Sequence, residues 1–215
     1  MKKKLFSNGL LYLILDKQTA DSFSIDIFDF AKKLAGSDLD LIQLRAKKIN
    51  DFEFLKLAKK LSLLFKKNKK LFIINDRPDL ACLSNASGLH LGSSDIPIKD
   101  ARILLKKRKI IGKTIHCLKE LRNTDLSALD YFALGPFFKS KTKTNNRHPL
   151  SKSEIIQITK KTKKVLFAIG GINRYNVDSV LRYGIKNIAV SSAILSSSNP
   201  IGEIKEIKKC LKKVS

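Results

Sequence analysis

Short apolar runs alternate with longer amphipathic segments along the whole chain, and a polar or glycine-rich fragment closes each run. LDLIQL, KLFII and VLFAI have the length of strands, while the segments between them repeat apolar residues at helical spacing. Alternation of this kind predicts parallel strands joined by crossover helices. Eight strands are expected, over Leu10–Leu15, Leu39–Leu44, Lys70–Ile74, Gly88–Leu91, Ile110–Thr114, Tyr131–Leu134, Val165–Ile169 and Asn187–Val190. Eight strand–helix units in 215 residues predict an α/β chain folded as a single (β/α)8 barrel, one domain over residues 1–215.

Two helix starts are well marked. A helix over Asp51–Lys66 has Phe52, Leu55, Ala58 and Leu61 at helical spacing, with lysines elsewhere. Ser151 with Glu154 three residues later has the form of a capping box. Phe138–Leu150 is the longest stretch without periodicity and reads as a loop after the sixth strand, where a long loop more often serves function than decoration. The amino-terminal MKKKLFSNGLLYLIL has a charged start and an apolar stretch, but Asp16 and Lys17 close it early, so it reads as a first strand rather than a signal peptide.

Charge changes the picture less than its size suggests. The formal net charge is +24, yet the lysines are spread over nearly every helix, as in LAKKLSLLFKKNKK and IKKCLKKVS. Dispersed lysines mark solvated outer faces, and neither an aromatic stacking platform nor zinc-finger spacing accompanies them. The expected partners are therefore small anionic molecules drawn in by positive potential, with no nucleic acid and no membrane. Cys82, Cys117 and Cys210 are odd in number and widely spaced, which argues against a disulfide framework and for a reduced cytoplasmic setting.

In alternating folds, ligands collect at the carboxyl ends of the strands. Gln43, Arg45 and Lys47 alternate at the end of the second strand, so a period of two sends them together into the barrel mouth, where they suit a phosphate; the other reading is a basic surface loop. Asn75 and Asp76 end the third strand, and Asp95 follows the glycine turn after the fourth. Two carboxylates on neighbouring strand ends suit one Mg2+ ion. Alternatively, Asp76 pairs with Arg77, or Asp95 caps the helix that Pro97 begins. Ser140, Lys141, Thr142 and Lys143 put hydroxyls and ammonium groups in one loop, a fair phosphate clamp. Gly170 and Gly171 after the seventh strand, and Ser191 and Ser192 after the eighth, stand where such barrels build phosphate sites from backbone N–H groups, although the glycines also suit a tight turn alone. Thr114 and His116 end the fifth strand, with His116 a candidate; His90 reads as barrel filling.

With QLRAK, IIND, HLGSSD, GKTIH, GPFFKSKTK, AIGGI and VSSAI in this order, the chain resembles the thiamine-phosphate synthase family from LYLIL to SSAIL. The resemblance implies a transferase that joins hydroxymethylpyrimidine diphosphate to a thiazole phosphate, releasing diphosphate. It implies that Gln43, Arg45, Lys47 and Asn75 hold the pyrimidine diphosphate, with Thr114 and Lys143 on its phosphates, and that Arg45, Lys47 and Lys143 are the catalytic cations. It implies Mg2+ on Asp76 and Asp95, and the thiazole phosphate on Ser140, Lys141, Thr142, Gly170, Gly171, Ser191 and Ser192. Ala46 and Lys139 depart from the pattern, standing where an acidic residue and proline are usual. A related thiazole tautomerase on the same barrel uses a histidine for proton transfer; it has no diphosphate for Arg45, Asp76, Asp95 and Lys143 to serve. A basic RNA-binding barrel is the remaining alternative.

Overall fold

A computed structural model describes residues 8–139 and 148–213. Eight parallel strands close into a barrel in chain order: β1 (Leu11–Asp16), β2 (Leu41–Arg45), β3 (Leu71–Asn75), β4 (Gly88–Leu91), β5 (Ile110–Ile115), β6 (Tyr131–Leu134), β7 (Val165–Ile169) and β8 (Asn187–Val190). Leu11 beside Ile188 makes the closure. The expected fold is the observed one.

Strand parity sorts the side chains. Residues of one parity, Leu11, Leu13, Ile42, Leu44, Phe72 and Ile74 among them, face outward into the core under the helices. Residues of the other parity, Tyr12, Leu41, Ile73, Ile110, Tyr131, Phe167 and Ala189, fill the barrel. Three rings dominate that interior, with Tyr12 and Tyr131 each meeting Phe167 edge-on at centroid distances of 5.4 and 5.3 Å. Gly112 makes room for them: a Cβ there would lie 2.0 Å from Tyr131 Cζ.

The helix Asp51–Lys67 starts on Asn50, whose side chain accepts from Glu53 N. Its buried face is Phe54, Ala58, Leu61 and Phe65, and Phe52 is 73% exposed, so the expected face began on the wrong phenylalanine. Starting from Phe52, the i+7 position is Lys59, whereas from Phe54 every step to Phe65 is apolar. The capping box forms as expected, with Ser151 and Glu154 satisfying each other's backbone groups at the start of the helix Lys152–Lys161. Of the predicted loop over 138–150, the described ends carry no regular structure.

At the barrel's amino-terminal end, cations clip the strands. Lys70, Lys109 and Lys164 each stand one residue before β3, β5 or β7, and each ammonium reaches a backbone carbonyl two residues before the neighbouring strand, β2, β4 or β6. The distances are 2.8 Å to Leu39 O, 2.6 Å to Ala86 O and 2.9 Å to Leu129 O. For β1 the same service comes from Lys208 of the last helix, Pro200–Lys212, which donates to Gly9 O at 2.7 Å and Asp40 Oδ2 at 2.6 Å.

Candidate active site

The parity that fills the barrel also furnishes its mouth. Tyr12, Ile14 and Asp16 run upward along β1, and Gln43 and Arg45 continue the inward row of β2. Gln43 is buried, and its Nε2 donates to the Tyr12 hydroxyl at 2.6 Å. The β1–β2 register sets Asp16 opposite Arg45, and the two form an ion pair. Asp16 divides its oxygens: Oδ2 takes the guanidinium, and Oδ1 accepts from Thr19 N and Thr19 Oγ1, both at 2.9 Å, capping the helix Lys17–Ser22. Lys47, just past the strand, reaches over to β3 and places its ammonium 3.0 Å from Asp76 Oδ2.

Asp76 adopts φ +64°, a left-handed conformation that aspartate tolerates better than most residues, and its N–H donates to His90 O at 2.9 Å. This turn brings its carboxyl against that of Asp95, which itself accepts from Gly92 N at 2.6 Å. Burial and the hydrogen bond to Asp95 push the Asp76 carboxyl up to about 6, with Lys47 opposing them. Burial also acts to raise Asp95, but hydrogen bonds from Asp76 and Gly92 N–H outweigh it and hold Asp95 below the ordinary carboxylate value. Of the two carboxyls, that of Asp76 is thus the readier to take up a proton as the pH falls. Two alternatives from the sequence are excluded. Arg77 turns away to Asp51 and Asp79, and the helix Ile98–Leu105 begins after Pro97 with no side-chain cap from Asp95.

On β5, Thr114 Oγ1 lies 2.7 Å from His90 Nε2. His90 is more than filling: it is buried within hydrogen-bond reach of Tyr131 and also lines the mouth. His116 Nδ1 lies 3.0 Å from Glu120, which also accepts from the His116 N–H. After β7, Gly170 and Gly171 have φ +102° and +66°, and added Cβ atoms would lie 2.6 Å from Pro136 and 2.8 Å from Phe138. Turn geometry and close approach thus both require glycine here. Ser191 donates its hydroxyl to Ile14 O at 2.9 Å, tying β8 to β1, and the short helix Ser192–Leu195 begins at once.

The strand-end residues among these line one cavity of about 610 Å³ at the carboxyl ends of the strands, with Tyr12 and Tyr131 outside its lining. Gln43, Arg45, Lys47, Asn75, Asp76, Asp95, Thr114, Gly170, Gly171, Ser191 and Ser192 are every site residue expected from sequence within the described range. Ser140, Lys141, Thr142 and Lys143 lie outside the described residues; Lys139 and His148, the described residues on either side, both line the cavity. Sequence reasoning missed Asp16, Thr19 and Ser93–Ser94 in the lining. Asp16 had a signal, since it continues the inward parity of Tyr12 and Ile14. Among the described residues no three His, Cys, Asp or Glu side chains cluster as a metal site. No helix there is long and apolar enough to cross a membrane.

Residues 11–194 match the family described as thiamine monophosphate synthase. The chain belongs to that family. A thiamine-phosphate synthase of Prochlorococcus marinus is 40% identical over 173 residues, which are 80% of this chain and 50% of that protein. The chain therefore spans about half the length of this relative. One from Lawsonia intracellularis is 32% identical over 201 residues, 94% of this chain and 92% of the relative. The solved thiamine phosphate pyrophosphorylase of Pyrococcus furiosus superposes with a TM-score of 0.83 at 28% identity, covering 99% of this chain and 98% of the other. Among the described residues, the fragments on which the resemblance to thiamine monophosphate synthases rests all contribute to the lining of the cavity.

Proposed function

We propose that this chain acts as a thiamine-phosphate synthase, one domain that joins hydroxymethylpyrimidine diphosphate to a thiazole phosphate. The observation that carries the reading is the convergence of Gln43, Arg45, Lys47, Asn75, Asp76, Asp95 and Thr114 on one cavity whose far wall is the Gly170–Gly171 turn and Ser191–Ser192. Arg45 and Lys47 supply positive charge for the diphosphate, and the side chain of Asn75 opens onto the same space. The thiazole phosphate is assigned to the turn after β7 and the start of the helix behind Ser191, where backbone N–H groups favour an anion. Lys143 completes the cations in this assignment.

The reaction proceeds by cleavage of the methylene C–O bond, with the electron pair leaving on the diphosphate. The aminopyrimidine shares the positive charge left on the methylene carbon, and the thiazole nitrogen then forms the new C–N bond. Little proton transfer is required, so positioning and charge stabilisation do the catalysis. Asp76 and Asp95 would hold Mg2+, an oxygen-seeking cation that typically takes one or two carboxylates and fills its remaining positions with water and substrate phosphate. Two adjacent carboxylates, one relinquishing a proton, fit that requirement. When bound, the ion supplies neutralisation of the charge that builds on the leaving diphosphate.

Two expectations test this reading. Purified protein given both substrates and Mg2+ is expected to release thiamine phosphate and diphosphate, and a chelator is expected to stop it. Absence of product from folded protein would overturn the synthase. Product from the tautomerase assay would then favour the reading in which His116, oriented by Glu120, moves a proton. The second expectation concerns pH. Because the folded-state value of Asp76 is raised, its neutral form stabilises the metal-free fold at low pH, and that contribution is lost as pH rises through about 6. Mg2+ must displace the same proton, so its apparent affinity is expected to fall about tenfold per pH unit below that value and to level off above it. Melting temperatures recorded with and without Mg2+ from about pH 5 to pH 8 measure both trends. A Mg2+ effect independent of pH would sink the assignment of the ion to this pair.

A further inference from the structure

Beneath the cavity, five side chains from five strands form one unbroken hydrogen-bonded row. Gln43 Nε2 lies 2.6 Å from Tyr12 Oη, Tyr12 Oη 2.9 Å from Tyr131 Oη, Tyr131 Oη 2.9 Å from His90 Nδ1, and His90 Nε2 2.7 Å from Thr114 Oγ1. The two ends, Gln43 and Thr114, line the cavity, as does His90, while the tyrosines lie under it. Both tyrosines are buried, and burial pushes both phenols far above their ordinary value, so they remain neutral.

The direction of every proton in the row follows from one end. An amide nitrogen only donates, so the Tyr12 oxygen accepts from Gln43. The Tyr12 proton then goes to Tyr131, whose own proton goes to His90 Nδ1. With Nδ1 accepting, the neutral imidazole carries its proton on Nε2 and donates it to Thr114. The Thr114 proton is thereby released toward the cavity. At the opposite end the amide oxygen of Gln43 accepts no hydrogen bond among the described residues and opens onto the same space.

We infer that Tyr12, Tyr131 and His90 are positioning residues that lock Gln43 as a hydrogen-bond acceptor and Thr114 as a donor on the cavity floor. The floor therefore selects a ligand that offers an N–H to Gln43 and an acceptor oxygen or nitrogen to Thr114. The two preferences are coupled, because reversing one end requires turning the amide and every hydroxyl between. Under the synthase reading, on which this functional consequence rests, the ligand is the pyrimidine diphosphate, which carries an amino group and phosphate oxygens. A site that hydrogen-bonds a substrate group in this way rejects analogues lacking it, because the buried partner is left unpaired. Gly112 is part of the device, since any larger residue would displace the Tyr131 ring from the row.

The first measurement needs no ligand. In protein labelled with 15N-histidine, long-range 1H–15N correlation spectra, assigned by the signal lost in His90→Asn, are expected to show a single neutral tautomer with the proton on Nε2. A proton on Nδ1, or an average of both tautomers, would overturn the inference. Tyr131→Phe keeps the ring and removes only the middle link. It is expected to release the tautomer to a mixture and to raise KM for the pyrimidine diphosphate about tenfold while kcat stays within about threefold, because these contacts serve substrate and transition state alike. An unchanged tautomer and KM in a folded variant would also overturn it. If the variant fails to fold, the wild-type spectrum alone decides the direction of the row. Wild-type protein without synthase activity would remove the proposed substrate, and the tautomer result would still stand or fall by itself.

Discussion

Asp76→Asn is expected to lower magnesium-dependent turnover by about a thousandfold or more, equivalent to about 4 kcal/mol of lost transition-state stabilisation. The substitution removes the carboxylate that faces both Asp95 and Lys47, and so removes half of the assigned cation site. Asparagine is the right replacement because Asp76 sits at φ +64°. Asparagine tolerates that left-handed conformation, whereas alanine would add backbone strain of roughly 1 kcal/mol and confound loss of charge with loss of fold. The fold is therefore expected to survive, with a melting temperature close to that of the parent protein. Steady-state kinetics over a Mg2+ titration, paired with thermal melts, decide the matter. A folded Asp76→Asn protein that keeps full turnover and its magnesium response would end the metal assignment.

Gly112→Ala is expected to cost about 3 kcal/mol of stability and about 10 °C in melting temperature. The new methyl group would meet Tyr131 Cζ at 2.0 Å and both Cε atoms at 2.3 and 2.5 Å, far inside contact distance. Tyr131 has nowhere easy to go, since Phe167 and Tyr12 pack against its edges and its hydroxyl is held by Tyr12 and His90. Gly36→Ala is the fitting control, for nothing lies within 4 Å of a Cβ at that position. Differential scanning calorimetry of both variants separates overpacking from any general intolerance of alanine. Gly112→Ala melting with the parent protein would mean that the barrel interior is loosely filled.

The architecture was legible because parallel strands buried on both faces leave compact apolar runs in the sequence. The bounds of β4, β6, β7 and β8 follow directly from such runs. Much of the candidate site was legible for the same reason. Gln43 and Arg45 keep the parity of the barrel interior, and Asn75, Asp76, Asp95 and Thr114 sit where strands end. What stayed hidden depends on register between strands distant in sequence. Nothing local says that Asp16 will stand opposite Arg45, or that Lys47 will cross to Asp76 and leave Arg77 to Asp51 and Asp79. The hydrogen-bonded row under the cavity was equally invisible, since nothing local says that Tyr12 and Tyr131, 119 residues apart, will meet until the closed barrel sets them face to edge. The misplaced face of the helix Asp51–Lys67 was of another kind, because Phe54, Ala58, Leu61 and Phe65 were in plain view as the longer stripe.

The lysines at the amino-terminal end of the barrel set part of the chain's positive charge apart from the rest. Lys70, Lys109, Lys164 and Lys208 are anchored to backbone carbonyls, where they close gaps between successive turns of the chain as short pegs would. Their charge is directed inward and met by carbonyl dipoles, on the side of the molecule opposite the cavity. Arg45 and Lys47 stand at the other end, facing open space beside carboxylates. A formal charge of +24 is thus not a measure of the field that an incoming anion feels. Part of it is carpentry, and arginine or lysine counts in chains of similar composition overstate their affinity for anions by whatever share is fastened into the frame.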